Sequence, residues 1–404
     1  MNDNVNEMWS ARIRNELVGN ILPFWTNRAV DRNNGGFYGK IDWDLAVVRK
    51  EPRSAVLNTR ILWTFAAASR LLGADYLDVT NRAFDYIMNK FRDPEHDGLF
   101  WMLDYQGKVI SSRKQIYAQA FGIYAFSEYY RATGNQASLE FAQRLFQLIE
   151  KHSRSAAFGG YLEACRRDWT TLDDMRLSEK DINCPKSMNT HLHIMEAYTN
   201  LLRVWRDPVL VTKQTELLRI SMDRIINPKT GHLKLFFDER WNQLSEDVSF
   251  GHDIEASWLI VEAAEVLGDV ALLNRARELA VVLARSVYEQ GLDTDGSIFY
   301  EANSRGVLID SKKHWWAQAE AVVGFFNAFQ ISQDSRFLAA SLHVWDYIEA
   351  KVVDREHGEW HAKLSPEGIP LLPTEDTDVC LAGPWKCPYH NSRSCFEMLN
   401  RLCV

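Results

Sequence analysis

HDGLFWML, residues 96–103, sets a glycine before a run of large apolar residues, the pattern of a tight turn feeding a short strand. It recurs as NGGFYGKID at Gly36, FGGYLEA at Gly160, TGHLKLFF at Gly231, DGSIFYEA at Gly296 and HGEWHAKL at Gly358. The six turns are spaced 62, 62, 71, 65 and 62 residues apart, a near-constant period that marks a repeat architecture.

Helical periodicity fills the intervals. Amphipathic segments at 76–92, 136–152, 208–226, 270–289 and 334–352 precede the glycines, each charged on one side. More apolar segments follow the strands, at 58–73, 115–133, 187–205, 252–268, 313–331 and 390–402. RILWTFAAASRLLG and WAQAEAVVGFFNAF are apolar nearly all round, as buried helices are. Six units of outer helix, strand turn and inner helix predict twelve helices. Closing them into a ring buries every inner helix and avoids the exposed ends of an open solenoid. The expected fold is all-α, an (α/α)6 barrel or toroid of twelve helices with short β-hairpins on one face. It is expected as a single domain over 1–404, and an open helical array is the alternative.

Composition narrows the function. A net charge of −8 argues against nucleic acid or an anionic membrane as a partner. No basic n-region with an apolar core opens the chain and no apolar run spans a bilayer, so a cytoplasmic location is expected. The six cysteines form no CxxC pair and are expected as free thiols; the spacings of Cys380, Cys387, Cys395 and Cys403 match no common zinc pattern. Fourteen tryptophans suit a large core, and they also suit platforms that stack on sugar rings.

The inner-helix beginnings are rich in polar groups. They carry Asn58 and Arg60, then Tyr117, then Asn189, His191, His193 and Glu196. FGHDIEASW adds His252, Asp253 and Glu255; KHWWAQAEA adds His314, Trp315, Trp316, Gln318 and Glu320; GPWKCPYHNSRSCFE adds Trp385, His390 and Arg393. Parallel inner helices would converge these groups on one funnel, where helix N-termini favour developing negative charge. His191 and His193 are two apart and point in different directions, so one of them is expected to be structural. One of the adjacent indoles Trp315 and Trp316 is expected to pack behind the other. His314 reads as structural and Asp253 as a helix-end charge. Glu255, three residues after His252, shares its helix face and is expected to orient its ring.

The strings NTHLHIMEAYTNL, FGHDIEASWL, HWWAQAEA and GPWKCPYHNSR, together with NGGFYGKID and LNTRILWTFAA, closely resemble those of the cellobiose 2-epimerases of the N-acylglucosamine 2-epimerase superfamily. The resemblance runs from about residue 10 to the C-terminus. It implies an (α/α)6 barrel and a reversible C2 epimerisation of the reducing-end glucose of β-1,4-linked disaccharides, with no cofactor and no metal. By motif, His252 and His390 match the acid/base pair and His193 the histidine of ring opening. Arg60, Asn189 and Glu255 match supporting positions, Trp315 and Trp385 the sugar platforms, and Tyr117, Trp316 and Glu320 further pocket positions. Ser394 departs from the apolar residue often found there, and a modest packing effect is expected. The implied partner is a disaccharide, and a monomer or weak homodimer is expected.

Three other readings remain open at this point. An aldose–ketose isomerase acting on mannose would share the enediolate and return the proton to C1. A glycoside hydrolase of the same toroid class would need two carboxylates across the bond. A non-catalytic sugar-binding toroid would leave opposed histidines without a purpose.

Overall fold

The structure, a computed structural model, describes residues 3–403, with side chains from residue 6 onward. Twelve helices among these residues alternate between two layers. The outer helices are α1 (3–27), α3 (77–91), α5 (Gln136–His152), α7 (208–225), α9 (270–291) and α11 (335–352). The inner helices are α2 (Ala55–Leu72), α4 (Ile116–Thr133), α6 (Met188–Leu202), α8 (Phe250–Leu267), α10 (Trp315–Ser332) and α12 (Tyr389–Leu402). Each inner helix packs on the next and α12 packs back on α2, which closes the ring. This is the (α/α)6 toroid that the glycine period predicts. None of the described helices is long and apolar enough to cross a membrane.

The two layers follow from composition. Helices α2, α4 and α8 each bury 14 of 18 residues, so their apolar character on all sides is used on all sides. In α5 the buried positions Leu139, Phe141, Ala142, Leu145, Phe146 and Ile149 instead form one stripe. The inner-to-outer junctions are short because two capping devices abut. Gly134, Gly268 and Gln333 end α4, α8 and α10 in the left-handed conformation, and Asn135, Asp269 and Asp334 then cap the next helix.

All six repeat glycines have positive φ, between 59° and 91°. At Gly98 a Cβ would lie 2.6 Å from Trp169 Cζ2, so the position refuses a side chain for steric as well as conformational reasons. The strand after each glycine pairs with the strand that precedes the previous inner helix. Arg53–Ser54 pairs with Met102–Leu103, Lys114–Gln115 with Ala164–Cys165, Lys186–Ser187 with Phe236–Phe237, Val248–Ser249 with Glu301–Ala302, and Lys313–His314 with Lys363–Leu364. The Ile41–Ala382 bridge completes the set by joining the first turn to the segment before α12. The strand pairs thus tie the beginnings of the inner helices into one rim, which is what positions the site.

Two further devices hold that rim. Just before the helix cap, Arg53, Lys114, Lys186 and Lys313 are fully buried and reach back into the glycine turn of their own repeat. Lys114 donates to Asp93 at 2.9 Å and to the Asp97 carbonyl at 2.7 Å; Lys186 donates to the Gly159 carbonyl at 2.7 Å. Four residues past the cap, Gln119, His191, Asp253 and Gln318 clamp the turns at Gly98, Gly160, Gly231 and Gly296 through the backbone amides of Leu99, Tyr161, Leu233 and Ile298. Such buried polar contacts stabilise one register only because every partner is present.

Candidate active site

Arg60, Phe121, His193, Glu255 and Glu320 each lie six residues past the cap of their helix, and α12 adds Arg393. A constant offset on inward helices places these five at one depth, and Arg393, five residues past Pro388, meets them there. The ring centres on Arg393, which is 1% exposed. Its Nη2 donates to Glu255 Oε1 at 2.5 Å and Glu320 Oε1 at 2.6 Å, while Nη1 donates to Glu196 Oε1 and to the Tyr389 hydroxyl. Tyr389 in turn donates to Glu196. One guanidinium therefore serves three buried carboxylates, and their protonation differs accordingly. Burial would raise Glu196, but the Arg393 charge and the His193 hydrogen bond outweigh it and hold it at about 2. Burial and then the neighbouring Glu320 push Glu255 up to about 8, and its Oε2 has no partner. Glu320 is raised by burial.

Three histidines open onto this network. Each is held through Nδ1 and has no partner for Nε2 among the described residues. His390 pairs with Glu320 at 2.7 Å, His193 with Glu196 at 2.8 Å, and His252 with the Ser249 hydroxyl at 2.8 Å. Ser249 occupies the cap position of α8, yet its hydroxyl is given to the imidazole instead of to a helix amide. Nδ1–H donation to a carboxylate leaves the Nε2 lone pair free as a base. Burial pushes His252 down to about 3 and His390 well below its ordinary value, so both imidazoles are neutral near pH 7. The Trp316 ring lies 4.8 Å from His252 and 5.3 Å from His390, so one indole touches both.

The other anticipated residues fall at definite places. Arg60 donates to the Tyr117 hydroxyl at 2.8 Å and lies over Phe121 at 4.3 Å and Tyr389 at 4.8 Å. Asn189 has an unpartnered buried Oδ1. Trp385 is 41% exposed on the rim, 6.4 Å from Trp101 and 6.0 Å from Tyr117. Trp315 is buried with the Lys386 ammonium 4.3 Å over its face and lies 5.6 Å from His390, whereas Trp316 contacts both His252 and His390. His191 is built into the scaffold, Nδ1 towards the Ser187 carbonyl and Nε2 accepting from Tyr161 N. His314 stacks on Tyr300 at 3.6 Å. Ser394 is buried with its hydroxyl unpartnered.

Three anticipated residues have protein partners that their sequence neighbourhood does not name. Glu255 does not orient His252: its Oε1 binds Arg393, because a guanidinium attracts a carboxylate more strongly than a neutral imidazole does, and Ser249 holds the ring instead. Glu320 is engaged by the protein: Oε1 accepts from His390 and Arg393 and Oε2 from Trp258 at 3.0 Å. Asp253 lies in the first turn of α8 as expected, but it is fully buried, where it binds His232 at 2.8 Å and the amide of Leu233. Residues to which the sequence assigns no role also matter: Glu196 and Arg393, which stand among the funnel's polar groups, and Tyr389, Trp258 and Ser249, which do not. Spacing could have signalled the first two, as each lies three residues past a site histidine on the same helix face.

Glu255, Glu320 and His390 offer ligand atoms within 4.8 Å of one another. The Arg393 guanidinium already bridges the two carboxylates, so a cation there would have to displace a resident charge. The arrangement supports acid–base chemistry on a small polar molecule, with cations and helix N-termini set against a developing oxyanion.

Sequence and structure comparisons agree on relatives. The family profile described as N-acylglucosamine 2-epimerase (GlcNAc 2-epimerase) matches residues 36–379. A cellobiose 2-epimerase of Bacteroides fragilis is 45% identical over 396 residues, covering 98% of this chain and 100% of the relative. One from Ruminococcus albus is 39% identical over 396 residues, covering 98% and 99%. The solved cellobiose 2-epimerase of Bacillus thermoamylovorans superposes with a TM-score of 0.91 at 38% identity, covering 98% of this chain and 100% of that one.

Proposed function

Because the chain belongs to the N-acylglucosamine 2-epimerase family, we propose that it reversibly inverts C2 of the reducing-end glucose of a β-1,4-linked disaccharide. Cellobiose gives glucosyl-mannose and lactose gives epilactose. A C2 proton is acidic only beside a C1 carbonyl, so the ring opens first: a base takes the O1 proton and an acid protonates O5. His193, tied to Glu196, serves that step. One of His252 and His390 then removes the C2 proton, and the resulting enediolate is stabilised by Arg60 and the surrounding helix N-termini. The other histidine, having first taken up a proton on Nε2, returns it to the opposite face, so the two histidines exchange protonation states in each turnover. Only protons move, so the step balances without an electron acceptor.

One observation carries the reading: His252 and His390 come from different helices, touch one indole and keep a free Nε2 each. A single base suffices for exchange, but inversion calls for two. The exposed Trp385 beside Trp101 suits the second sugar ring, since indole faces stack on sugar C–H faces. All these groups come from one chain, so a monomer or weak homodimer acting in the cytoplasm is sufficient.

Incubation with cellobiose, and separately with mannose, in D2O followed by NMR tests the proposal. Glucosyl-mannose bearing deuterium at C2 is expected. Fructose from mannose with cellobiose untouched would make the protein an aldose–ketose isomerase, released glucose would make it a hydrolase, and no change would leave a binding protein.

A further inference from the structure

The turn at Gly358 departs from its counterparts in the first three repeats. There two consecutive residues have positive φ, and the second is Gly36, Gly98 or Gly160. A Cβ on any of these three would lie at most 2.7 Å from an aromatic ring, that of Tyr86, Trp169 or Trp241. Their carbonyls accept from the amides of Asp31, Asp93 and Ser155. In the sixth repeat the carbonyl that accepts the matching bond, from Asp354, belongs to Glu359, at φ 67°. A fully buried glutamate thus occupies a left-handed position that those repeats give to glycine.

Strain of this kind persists only where the surroundings hold the residue in place, and here the side chain supplies the hold. Glu359 Oε1 accepts from Trp25 Nε1 at 3.0 Å and from Asn391 Nδ2 at 2.8 Å. Oε2 accepts from the Trp360 amide and from the Lys386 ammonium. Lys386 is the buried cation of the sixth repeat, standing just before its inner helix as Lys114 and Lys186 stand before theirs. Those two ammonium groups lie near Trp169 and Trp241, indoles of rim loops.

Lys386 instead lies 4.3 Å over Trp315, which α10 presents 5.6 Å from His390. Its carbonyl also accepts from Gly383 N at 2.8 Å, closing a turn whose exposed member is Trp385. One buried ion pair therefore reaches both indoles that match sugar platforms, Trp315 through its ring face and Trp385 through the turn that carries it. A desolvated ammonium is held firmly by such a ring face, and it stays buried only while its carboxylate partner is present. Asn391, bound to the same carboxylate, adjoins His390 in α12.

We propose that Glu359 and Lys386 are positioning residues for the sugar site, holding Trp315 and Trp385 in the places where they meet the disaccharide; this rests on the disaccharide reading above. Lys386→Met removes the ammonium and keeps most of the stem. Its KM for cellobiose should rise at least tenfold with kcat within threefold of the parent, and Lys386→Arg should recover most of the loss. Lys114→Met removes the corresponding cation of the second repeat, which touches neither platform. It should lower the melting temperature and leave KM within twofold. Glu359→Gln keeps the shape without the charge, should raise KM at least threefold, and carries the same test if Lys386→Met does not fold. A thermal melt shows which variants are folded. A folded Lys386→Met with parental KM overturns the proposal. So does a Lys114→Met whose KM rises as far, because loosening of the rim would then suffice. Calorimetric titration of the full chain with cellobiose gives affinity apart from turnover. A parent that binds cellobiose without inverting it ends the epimerase reading, and the affinities of the same variants still decide the role of the pair.

Discussion

Glu320→Gln separates orientation of a histidine from contact with the sugar. Glu320 accepts from His390 Nδ1 at 2.7 Å, from Arg393 at 2.6 Å and from Trp258 at 3.0 Å. The amide keeps the size but loses the charge, and its NH2 must face one of three donors. A hydrogen bond to a charged group contributes about 1.5–3 kcal/mol. The His390 bond matters most as the imidazole takes up a proton, so its loss falls on the transition state. At about 1.4 kcal/mol per factor of ten, kcat should fall about 10- to 100-fold. KM should stay within about twofold, because the carboxylate reaches the sugar only through His390. Initial rates of glucosyl-mannose formation from cellobiose, read by NMR across substrate concentration, give both constants, and a thermal melt establishes folding. A folded variant with kcat within twofold of the parent would refute the orienting role. A raised KM at unchanged kcat would make Glu320 a sugar ligand after all.

Other consequences follow from the same network. Glu255 is protonated below and ionised above about 8, so rising pH through that value adds a negative charge beside the enediolate. kcat/KM should therefore fall as pH rises through about 8, and Glu255→Gln, neutral at every pH, should flatten that limb in a pH–rate profile. Arg393→Met leaves three buried carboxylates without their cation and should cost about 3–5 kcal/mol of stability in urea unfolding; a loss under 1 kcal/mol would contradict the central place given to this residue. Gly98→Ala, at φ 72° with Trp169 against the new Cβ, should lower stability by about 2 kcal/mol and leave KM for the sugar unaltered in the folded fraction.

The fold was legible because its signals are local. A left-handed turn selects glycine at Gly36, Gly98, Gly160, Gly231, Gly296 and Gly358, and an inner helix must be apolar on every side, so both leave marks within a few residues. The histidines and Arg60 could be read for the same reason, as each sits near the beginning of a recognisable helix. The wiring between them could not. Arg393 meets Glu255 and Glu196 across 138 and 197 residues, and a helix-face rule applied to His252 and Glu255 cannot see that competitor. Asp253 looked like an end charge because nothing near it in sequence announces His232, which the fourth turn brings against it. Ser249 stands just before a helix with nothing in its neighbourhood to mark it, and only its contact with His252 gives it a role in the site.

Two bases on opposite faces of C2 are the central claim. The most direct measurement is deuterium uptake at C2 by the His252→Ala and His390→Ala variants, each offered cellobiose and, separately, glucosyl-mannose in D2O. Each variant should exchange the C2 proton of the one epimer its remaining histidine can reach and form almost none of the other. Inversion at near-parent rate by either variant would contradict the two-histidine account.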